Sequence, residues 1–598
     1  MPGSADSSLR VPSALDTPDT RPARRRRLAA WAKTPDAIVA ASYLALAVFV
    51  LGRQWRHLHN GYLVKSGQDQ VMWEWFFAVT ARSVANFDNP LGTVLQNHPL
   101  GVNMMANTAM FGVSVPLAPM TLLFGPTMTY VLMLTLGLSG TALGWYWLFS
   151  RELVDSRFAA AVGGLFCGFA PAMVSHGNAH PNFVVLFLLP LIAMMVIRMS
   201  RRTPTKRSAL RDGSILGVMV AAQILLGEEP LLIFAISLAI FGLVYYLHQP
   251  ALGRQAVARL VPPVAVAGVL ALALTAVPLW WQFLGPQSYR YIDHGQMGND
   301  LKSLVQFPSE SLGGMFAPGQ NVAINPTEEN AYFGWPLLAL VAIVVIWLWR
   351  DRVVRAATAT VLVMGVLSMG SSLRIGKQDT GIALPWRWIG NMPLLESVLE
   401  TRFAIACIPA IAVLLALATQ RALRSGYLVL PWFVGLAVAL VPLAPTQLPV
   451  VSRSATPEFF ADGTWRQFTS GGSVVTVPLP RPEDASALRW QQSADFGYPI
   501  AGGYFVGPTG AEKKGKYGAD DRPTALLLAK VGATGDVPTI DDQARARARE
   551  DLQFWRADVV VGPETSNRQA LISARTDLLG NPGTQVQDVQ VWDVRAVR

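Results

Sequence analysis

The sequence predicts a mainly α-helical protein: a polytopic membrane helix bundle followed by a C-terminal α/β domain. Hydrophobic residues make up 52% of the 598 residues and charged residues only 15%, whereas soluble proteins carry about a quarter charged residues. The mean hydropathy is +0.34. Apolar runs such as 127–149, 264–283 and 403–418 are near the length that crosses a bilayer. Beyond residue 445 these runs stop, and a polar, globular pattern replaces them.

Three regions follow from these patterns. Residues 1–36 are rich in Pro, Ser, Asp and Arg, which predicts a disordered, basic cytoplasmic tail. Residues 37–445 are the predicted transmembrane domain, and residues 446–598 are the predicted α/β domain. Four arginines, Arg24 to Arg27, precede the first apolar run and no small-residue cleavage site follows it, so we predict an uncleaved signal anchor.

The net charge of +10 lies mostly in short loops beside the apolar runs. Such loops set membrane topology and contact anionic lipid, so we expect membrane lipids rather than nucleic acid as the partners of these charges. The two cysteines, Cys167 and Cys407, both fall inside apolar segments. They are predicted to be small core residues, and not a disulfide or a metal pair.

The distribution of basic residues between loops predicts which side of the membrane each loop faces. Residues 21–33 and residues 198–211 each hold six Lys or Arg, whereas residues 175–181 and 227–230 hold none. The positive-inside rule places the basic loops in the cytosol. We predict about eleven spans in the plasma membrane, with the N-terminus cytoplasmic and the C-terminal domain extracytoplasmic.

One segment near the start does not fit this alternation as a span. Residues 109–124 form a short run that contains Pro116 and Pro119, so we predict a re-entrant or interfacial helix there. Large outer loops are then expected at residues 53–110 and 284–332.

The C-terminal region carries the signals of a small α/β domain. Residues 473–478 are rich in β-branched residues and predict a strand, and residues 558–561 and 586–594 predict two more. A helix is predicted over residues 541–555, opened by Thr539 in a variant of the capping box.

An acidic cluster follows the first apolar run. Asp69 and Glu74 lie in the segment 66–77 among four aromatic residues that suit a helix in the membrane interface. Carboxylates at the water–lipid boundary of a multi-span protein are costly to place and are usually functional. Asp69 could instead be only the N-cap of a surface helix, so both interpretations stay open on the residues alone.

Several short motifs, in their order along the chain, resemble the GT-C class of membrane glycosyltransferases, in an actinobacterial-type branch that uses polyprenyl-phosphate-linked sugars. The matching pieces span most of the membrane part: Gly67 with Asp69-Gln70, residues 97–103, residues 122–126, residues 169–171 with His176 and His180, and residues 393–395 followed by Arg402-Phe403. The resemblance implies an acidic catalytic residue in the first large outer loop. Gln68 separates Gly67 from Asp69 here, so Asp69 and Glu74 are both catalytic candidates.

The resemblance implies an inverting glycosyltransferase. It would move a sugar from a polyprenyl-phosphate-linked donor to a cell-envelope glycan, lipid or protein acceptor on the outer face. A base must take the acceptor proton, and Asp69 is our candidate, because burial beside Trp rings should raise its pKa. Arg402 is the candidate clamp for the donor phosphate, since its planar fork suits phosphate; pairing with Glu400 is the alternative.

Polar residues at the outer helix ends complete the candidate site. His176 and His180 lie four residues apart and could bind substrate, or chelate a metal on a continuous helix. Glu228 and Glu229 interrupt two apolar runs and could contact substrate directly or through a divalent cation, or form a solvated turn. His98, in the motif 97–103, is a further substrate-binding candidate. A requirement for a divalent cation stays open.

Two other functional classes compete with the glycosyltransferase. One is a secondary transporter or flippase of lipid-linked sugars, which would place ionisable residues at the midplane of the membrane. Here they cluster at the outer boundary, which favours chemistry at that boundary. The other is a non-catalytic membrane scaffold that presents the C-terminal domain. The sequence contains no P-loop and no Gly-x-Ser-x-Gly elbow, which removes the usual support for ATP-driven transport or hydrolysis.

Overall fold

The computed structural model describes residues 34–295, 297–563 and 566–597. The tail predicted for residues 1–36 therefore lies outside the described residues, except for its last three. These three open the first helix: the Thr34 hydroxyl accepts a hydrogen bond from the backbone N–H of Ala37 at 3.3 Å, and Pro35 takes the first helical position.

The membrane part is built from helices of very different length. In chain order they are α1 (Pro35–Val50), α2 (Gly52–Arg56), α3 (Asp69–Asn86), α4 (Phe111–Ser114), α5 (Ala118–Phe124), α6 (Pro126–Leu148), α7 (Arg157–Phe169), α8 (Pro171–His176), α9 (Leu188–Arg201), α10 (Lys206–Leu226), α11 (Glu228–Tyr246), α12 (Pro250–Leu284), α13 (Leu312–Phe316), α14 (Trp335–Leu348), α15 (Arg352–Leu367), α16 (Trp386–Ile389), α17 (Cys407–Ser425) and α18 (Val429–Leu440).

Six helical segments of the described chain are long and apolar enough to cross a membrane: Pro126–Leu153, Pro181–Arg201, Lys206–Leu226, Glu228–Tyr246, Pro250–Leu284 and Glu400–Ser425. The helices α1, α7, α14 and α18 are apolar but shorter. The predicted number of about eleven spans therefore stays a prediction. Residues 109–124 contain the short helices α4 and α5, of 4 and 7 residues, and the re-entrant or interfacial placement of this segment stays a prediction.

Small residues allow the helices of the bundle to approach closely. A Cβ atom on Gly164 of α7 would lie 2.7 Å from the Ala142 carbonyl of α6, and one on Gly213 of α10 would lie 2.5 Å from the Pro263 carbonyl of α12. Close backbone contact of this kind is the usual basis of helix association in lipid, where hydrophobic burial between helices contributes little free energy.

Six short strands lie in the segments between the helices, and they form three pairs. They are β1 (Gly61–Leu63), β2 (Gly92–Thr93), β3 (Val102–Asn103), β4 (Ser372–Ile375), β5 (Gln378–Ala383) and β6 (Val450–Ser452). Strand β1 pairs antiparallel with β6, with Gly61 opposite Ser452. The segment 53–110, the predicted first outer loop, is therefore fixed to the segment that follows α18.

The described residues of the C-terminal part form a mixed sheet and five α-helices. The strands are β7 (Ser473–Thr476), β8 (Val506–Thr509), β9 (Lys514–Tyr517), β10 (Ala557–Gly562), β11 (Thr584–Val586) and β12 (Val589–Asp593), and the helices are α19 (Glu458–Ala461), α20 (Ser486–Ser493), α21 (Pro523–Thr534), α22 (Asp542–Phe554) and α23 (Arg568–Leu579). Four strands form one sheet in the order β11-β12-β10-β7, with β10 parallel to β7 and antiparallel to β12.

The two faces of this sheet bury different cores. Val559 and Val561 of β10 belong to the core that is continuous with the membrane part. The intervening Val560 packs with Leu552 and Leu571 in a second core formed with the helices. This division follows from the alternation of side chains along a strand. It anchors the C-terminal part against the outer loops.

Two details of the C-terminal predictions are wrong. The helix α22 is capped by Asp541, whose carboxylate accepts from the Ala544 N–H at 2.7 Å, and not by Thr539. The single strand predicted over residues 586–594 is a hairpin of β11 and β12, because Gln587 adopts a left-handed backbone conformation with φ 53° between them.

Candidate active site

Asp69 is the first residue of α3, and the preceding residues hold that helix start in place. The N–H of Gln70 donates to the Ser66 hydroxyl at 2.8 Å, and the Gln70 side chain accepts from the Leu63 N–H of β1 at 2.9 Å. Gln68 takes the N-cap position without a side-chain capping bond, so Asp69 is not an N-cap. Its carboxylate lies at the positive end of the helix dipole and is free to bond elsewhere.

The Asp69 carboxylate bridges the C-terminal part and the membrane part. One oxygen accepts a hydrogen bond from the Tyr504 hydroxyl, and the other lies 3.6 Å from Nε2 of His180. Burial raises the pKa of Asp69 to about 6; the Tyr504 hydrogen bond and the Arg402 charge lower it, and the Glu328 charge raises it further. Such a carboxylate is still ionised near neutral pH but is more basic than an exposed one.

His176 and His180 lie where α8 ends, in a loop bent by Pro181. Their Nδ1 atoms are 3.1 Å apart, and the ring of His176 stacks on Phe183 with centroids 5.0 Å apart. Burial lowers the pKa of His176 to about 4 and that of His180 to about 3. Both imidazoles are therefore neutral at physiological pH and can accept hydrogen bonds or ligate a cation.

Glu328 lies at the centre of the cluster. Its carboxylate oxygens lie 3.6 Å from Nε2 of His176 and 3.6 Å from Nδ1 of His180, and one accepts from the Asn330 side chain at 2.6 Å. Burial alone would raise the pKa of Glu328, but the Arg402 guanidinium and the two imidazoles hold it well below its usual range. Glu328 is therefore a permanent anion in the cluster.

Arg402 joins two acidic residues from different parts of the chain. It lies in the 3-10 turn Glu400–Ala406, donates to Glu328 through Nε and one terminal nitrogen at 3.0 and 2.7 Å, and donates to Glu229 at 2.8 Å. These bonds use three of the five N–H donors of a guanidinium and leave two for another anion. The guanidinium also lies over the Phe183 ring, 4.5 Å from its centroid.

An apolar cavity begins beneath Arg402 and descends between the membrane helices. Its upper wall contains Arg402 and Phe183, and its lower wall contains Trp145 of α6, Phe234 of α11 and Ile408 of α17. Almost all of its lining is hydrocarbon, and the Arg402 guanidinium stands at one end of it. A single ligand could therefore place an anionic group on Arg402 and a hydrocarbon group in the apolar cavity.

The structure brings some of the predicted residues together and separates others. Asp69, His176, His180, Glu229 and Arg402 form one connected cluster. Arg402 pairs with Glu229 and Glu328 rather than with Glu400.

Three predicted residues lie outside this cluster. Glu74 forms a buried two-pronged ion pair with Arg453, so both of its oxygens are already engaged. The Glu228 carboxylate accepts from the Gln282 side chain. His98 donates its backbone N–H to the Ile500 carbonyl at 3.1 Å, where the first outer loop meets the C-terminal part.

Two residues of the cluster were not among the sequence-based candidates. The sequence around Glu328 does contain an indication of a site, because Glu328 belongs to an acidic pair shortly before an aromatic pair and the helix α14. The same segment also fits a polar linker. Tyr504 lies 435 residues from Asp69 along the chain, and only the tertiary fold brings the two together.

Solved structures of two glycosyltransferases share this fold. The cryo-EM structure of the arabinofuranosyltransferase AftD from Mycobacteria matches 94% of this chain and 40% of its own, with 14% identity and a TM-score of 0.51. The crystal structure of the Archaeoglobus fulgidus oligosaccharyltransferase tethered to an acceptor peptide matches 92% and 72%, with 13% identity and a TM-score of 0.50. The chain has a GT-C glycosyltransferase fold. No protein-family model and no curated protein matches its sequence.

The resemblance inferred from the motifs is thus confirmed at the level of the fold. The six long apolar segments indicate a membrane protein. The likeness extends to nearly the whole of this chain, but the chain spans 40% of the mycobacterial enzyme.

Proposed function

We propose that the protein transfers a sugar from a polyprenyl-phosphate-linked donor to a cell-envelope acceptor at the outer face of the membrane. The observation that carries this proposal is the continuity between three features: the half-buried Asp69 carboxylate, the Arg402 guanidinium and the apolar cavity beneath it. A lipid-linked sugar phosphate has the same three parts in the same order, namely a reacting sugar, an anion and a hydrocarbon chain.

Asp69 is the proposed general base. An acceptor hydroxyl placed beside it would attack the anomeric carbon of the sugar while its proton passes to the carboxylate. The new bond joins the acceptor oxygen to that carbon, and the bond from the carbon to the phosphate oxygen breaks with its electron pair. A single displacement of this kind inverts the anomeric centre. Because burial raises the pKa of Asp69 to about 6, the residue is a stronger base than a solvated aspartate.

Arg402 is the proposed clamp for the donor phosphate. Its two remaining N–H donors could bind the phosphate oxygens and stabilise the charge that remains when the sugar departs. Glu229 and Glu328 hold the guanidinium in one orientation, so its geometry is set before the donor binds. The cavity between α6, α11 and α17 has a volume of about 40 Å³, so it would hold only the start of the isoprenoid chain, next to the phosphate.

The charge of the cluster also favours a divalent cation. Asp69, Glu229 and Glu328 contribute three carboxylates against one guanidinium, and the two imidazoles are neutral. His176, His180 and Glu328 offer ligand atoms within 4.8 Å of one another, a donor set that suits Zn²⁺ or Mn²⁺. Such an ion would stabilise negative charge on the donor phosphate.

Chelation tests this cation. Treatment of membranes with EDTA should reduce transfer, and one divalent metal should restore it. His176→Ala should raise the metal concentration that is needed to restore transfer. His248→Ala, at the opposite end of the bundle, should leave that concentration unchanged. Full activity after exhaustive chelation would exclude the ion and leave the roles of Asp69 and Arg402 intact.

The C-terminal part is the proposed acceptor platform. Tyr504 reaches Asp69 from the loop that precedes β8, and the same loop is docked on the first outer loop through Gln96, whose side chain accepts from the Tyr504 N–H at 2.9 Å. An acceptor held by this loop would arrive directly at the base.

The proposal is tested by assaying membranes with a panel of radiolabelled polyprenyl-phosphate sugars. Asp69→Asn should lower transfer about 10²- to 10⁴-fold, the usual contribution of a general base. Asp495→Asn is the matched control, since Asp495 is an exposed carboxylate on the same side of the molecule. Unchanged transfer by Asp69→Asn would remove the proposed base. Lipid translocation in vesicles without turnover of any donor would favour a flippase.

A further inference from the structure

A second, larger cavity lies at the end of the bundle opposite to the Asp69 cluster. It has a volume of about 610 Å³ and lies between α9, α10, α12 and the α9–α10 connection. Helix α9 descends from the loop of His180 and ends here at Arg201, and α10 returns from here to the turn before Glu229. A cavity of this volume falls in the range of small-ligand pockets, about 300–1,000 Å³.

The mouth of this cavity is strongly basic. Four arginines line it, Arg198 of α9, Arg202 of the connection, Arg211 of α10 and Arg259 of α12, against one acidic residue, Asp212. The hydroxyls of Thr203, Thr205 and Ser208 add neutral hydrogen-bonding groups to the same rim.

Two of these arginines are already neutralised and two are not. Arg198 pairs with Glu152 at 2.7 Å, and Arg211 pairs with Asp212 at 2.8 Å. In the described part of the chain, no carboxylate lies within salt-bridge distance of Arg202 or Arg259. The cavity therefore keeps an excess of positive charge that protein groups do not compensate.

The floor of the cavity is apolar. On each of the three helices the lining changes from an arginine at the mouth to an apolar residue one turn further in. Met195 lies one turn deeper than Arg198 on α9, Ile215 one turn deeper than Arg211 on α10, and Pro263 one turn deeper than Arg259 on α12. A ligand that fills the site must carry an anion at the membrane surface and hydrocarbon about one helical turn below it.

We infer that this cavity binds the headgroup of an anionic membrane phospholipid, with the phosphate on Arg202 and Arg259 and the first acyl carbons against Met195, Ile215 and Pro263. A basic pocket between transmembrane helices on the cytoplasmic side is a suitable site for anionic headgroups. The positive-inside distribution of charge places this end of the bundle at the cytoplasmic leaflet, where anionic lipids are abundant. The inference does not depend on the proposed sugar transfer.

Native mass spectrometry and thermal unfolding of the full-length purified protein test this site. Wild type should retain phosphatidylglycerol in preference to phosphatidylcholine and should unfold at a higher temperature with it. Arg202→Gln with Arg259→Gln should weaken this preference, by about fivefold for each arginine removed. Arg207→Gln with Arg254→Gln is the matched control, because it removes two exposed charges, on α10 and α12, that lie near Arg202 and Arg259 in the sequence but outside the cavity lining.

Each outcome decides the inference. Loss of the preference in the cavity variant alone supports the site. Equal loss in the control variant would mean that the preference for phosphatidylglycerol comes from general surface charge, and would overturn the proposed site. Inorganic phosphate provides a third arm: if it stabilises the protein as strongly as phosphatidylglycerol, the apolar floor plays no part and a lipid site is wrong. Unfolding temperatures in phosphatidylcholine alone show whether each variant is folded.

Discussion

The pKa of the Asp69 carboxylate depends on groups from three separate parts of the chain. Burial disfavours its charge and raises its pKa to about 6, and the Tyr504 hydrogen bond opposes that shift. Arg402 also opposes the shift, and Glu328 adds to it. As the proposed base, Asp69 would work at neutral pH and lose its function in mild acid, because only the deprotonated form can take a proton.

Tyr504→Phe should shift the acid limb of sugar transfer to higher pH. In wild type we expect transfer to fall as the pH drops through about 6, the pKa of Asp69. Loss of the tyrosine hydroxyl removes a bond that favours the charged carboxylate, so protonation, and loss of activity, should begin at a higher pH. Rates measured between pH 5 and 8 test this, with Tyr427→Phe as an exposed control. An acid limb that stays in place or moves lower would contradict it.

Glu74 and Arg453 form a buried ion pair, for which we propose a structural role. Their side chains are 2% and 5% exposed and form a two-pronged ion pair, which fixes α3 to the segment after β6. Since a charge left unpaired by loss of its partner is strongly unfavourable, we predict that Glu74→Gln destabilises the fold by about 3–5 kcal/mol. Thermal unfolding should show a clear fall for Glu74→Gln and little change for Asp69→Asn. The reverse order would mean that the two acids have exchanged roles.

Among the elements, long helices were the most predictable and turns the least. Apolar runs identify the membrane helices because a helix that crosses the hydrocarbon core must consist mainly of apolar residues. The run at residues 264–283 is longer in the structure, where α12 extends over Pro250–Leu284 in spite of three internal prolines. The left-handed residue Gln587, which divides one predicted strand into a hairpin, has no counterpart in strand propensity.

The loop that carries Tyr504 is fixed at Gly503, and this gives a prediction for that element. Gly503 has φ 151°, and a Cβ atom there would collide with the Gln96 side chain, which accepts from the Tyr504 N–H. Gly503→Ala should therefore displace Tyr504 from Asp69 and reproduce the pH shift of Tyr504→Phe. Gly532→Ala is the control, since its nearest neighbours are 3.7 Å away. A Gly503→Ala profile identical to wild type would show that the loop does not position Tyr504.

At the scale of the whole molecule, the sequence was sufficient for the class and insufficient for the partners. Hydropathy and loop charge predict a membrane bundle, and the ordered motifs point to the GT-C fold that the structure has. The partners of Arg402 were predicted less well, because Glu229 lies 173 residues away and Glu328 lies 74 residues away along the chain. Only the packing of α11 and the second outer loop against Arg402 brings these charges together.

The proposed function requires that the Asp69 cluster faces the cell exterior, and cysteine accessibility in intact cells measures on which side of the membrane the cluster lies. Both native cysteines are buried, so a membrane-impermeant maleimide should report only introduced ones. Val64→Cys, at an exposed position five residues before Asp69, should react in intact cells, whereas Thr203→Cys, at the rim of the basic cavity, should react only after permeabilisation. Labelling of Thr203→Cys in intact cells, with Val64→Cys protected, would place the cluster in the cytoplasm and contradict the account.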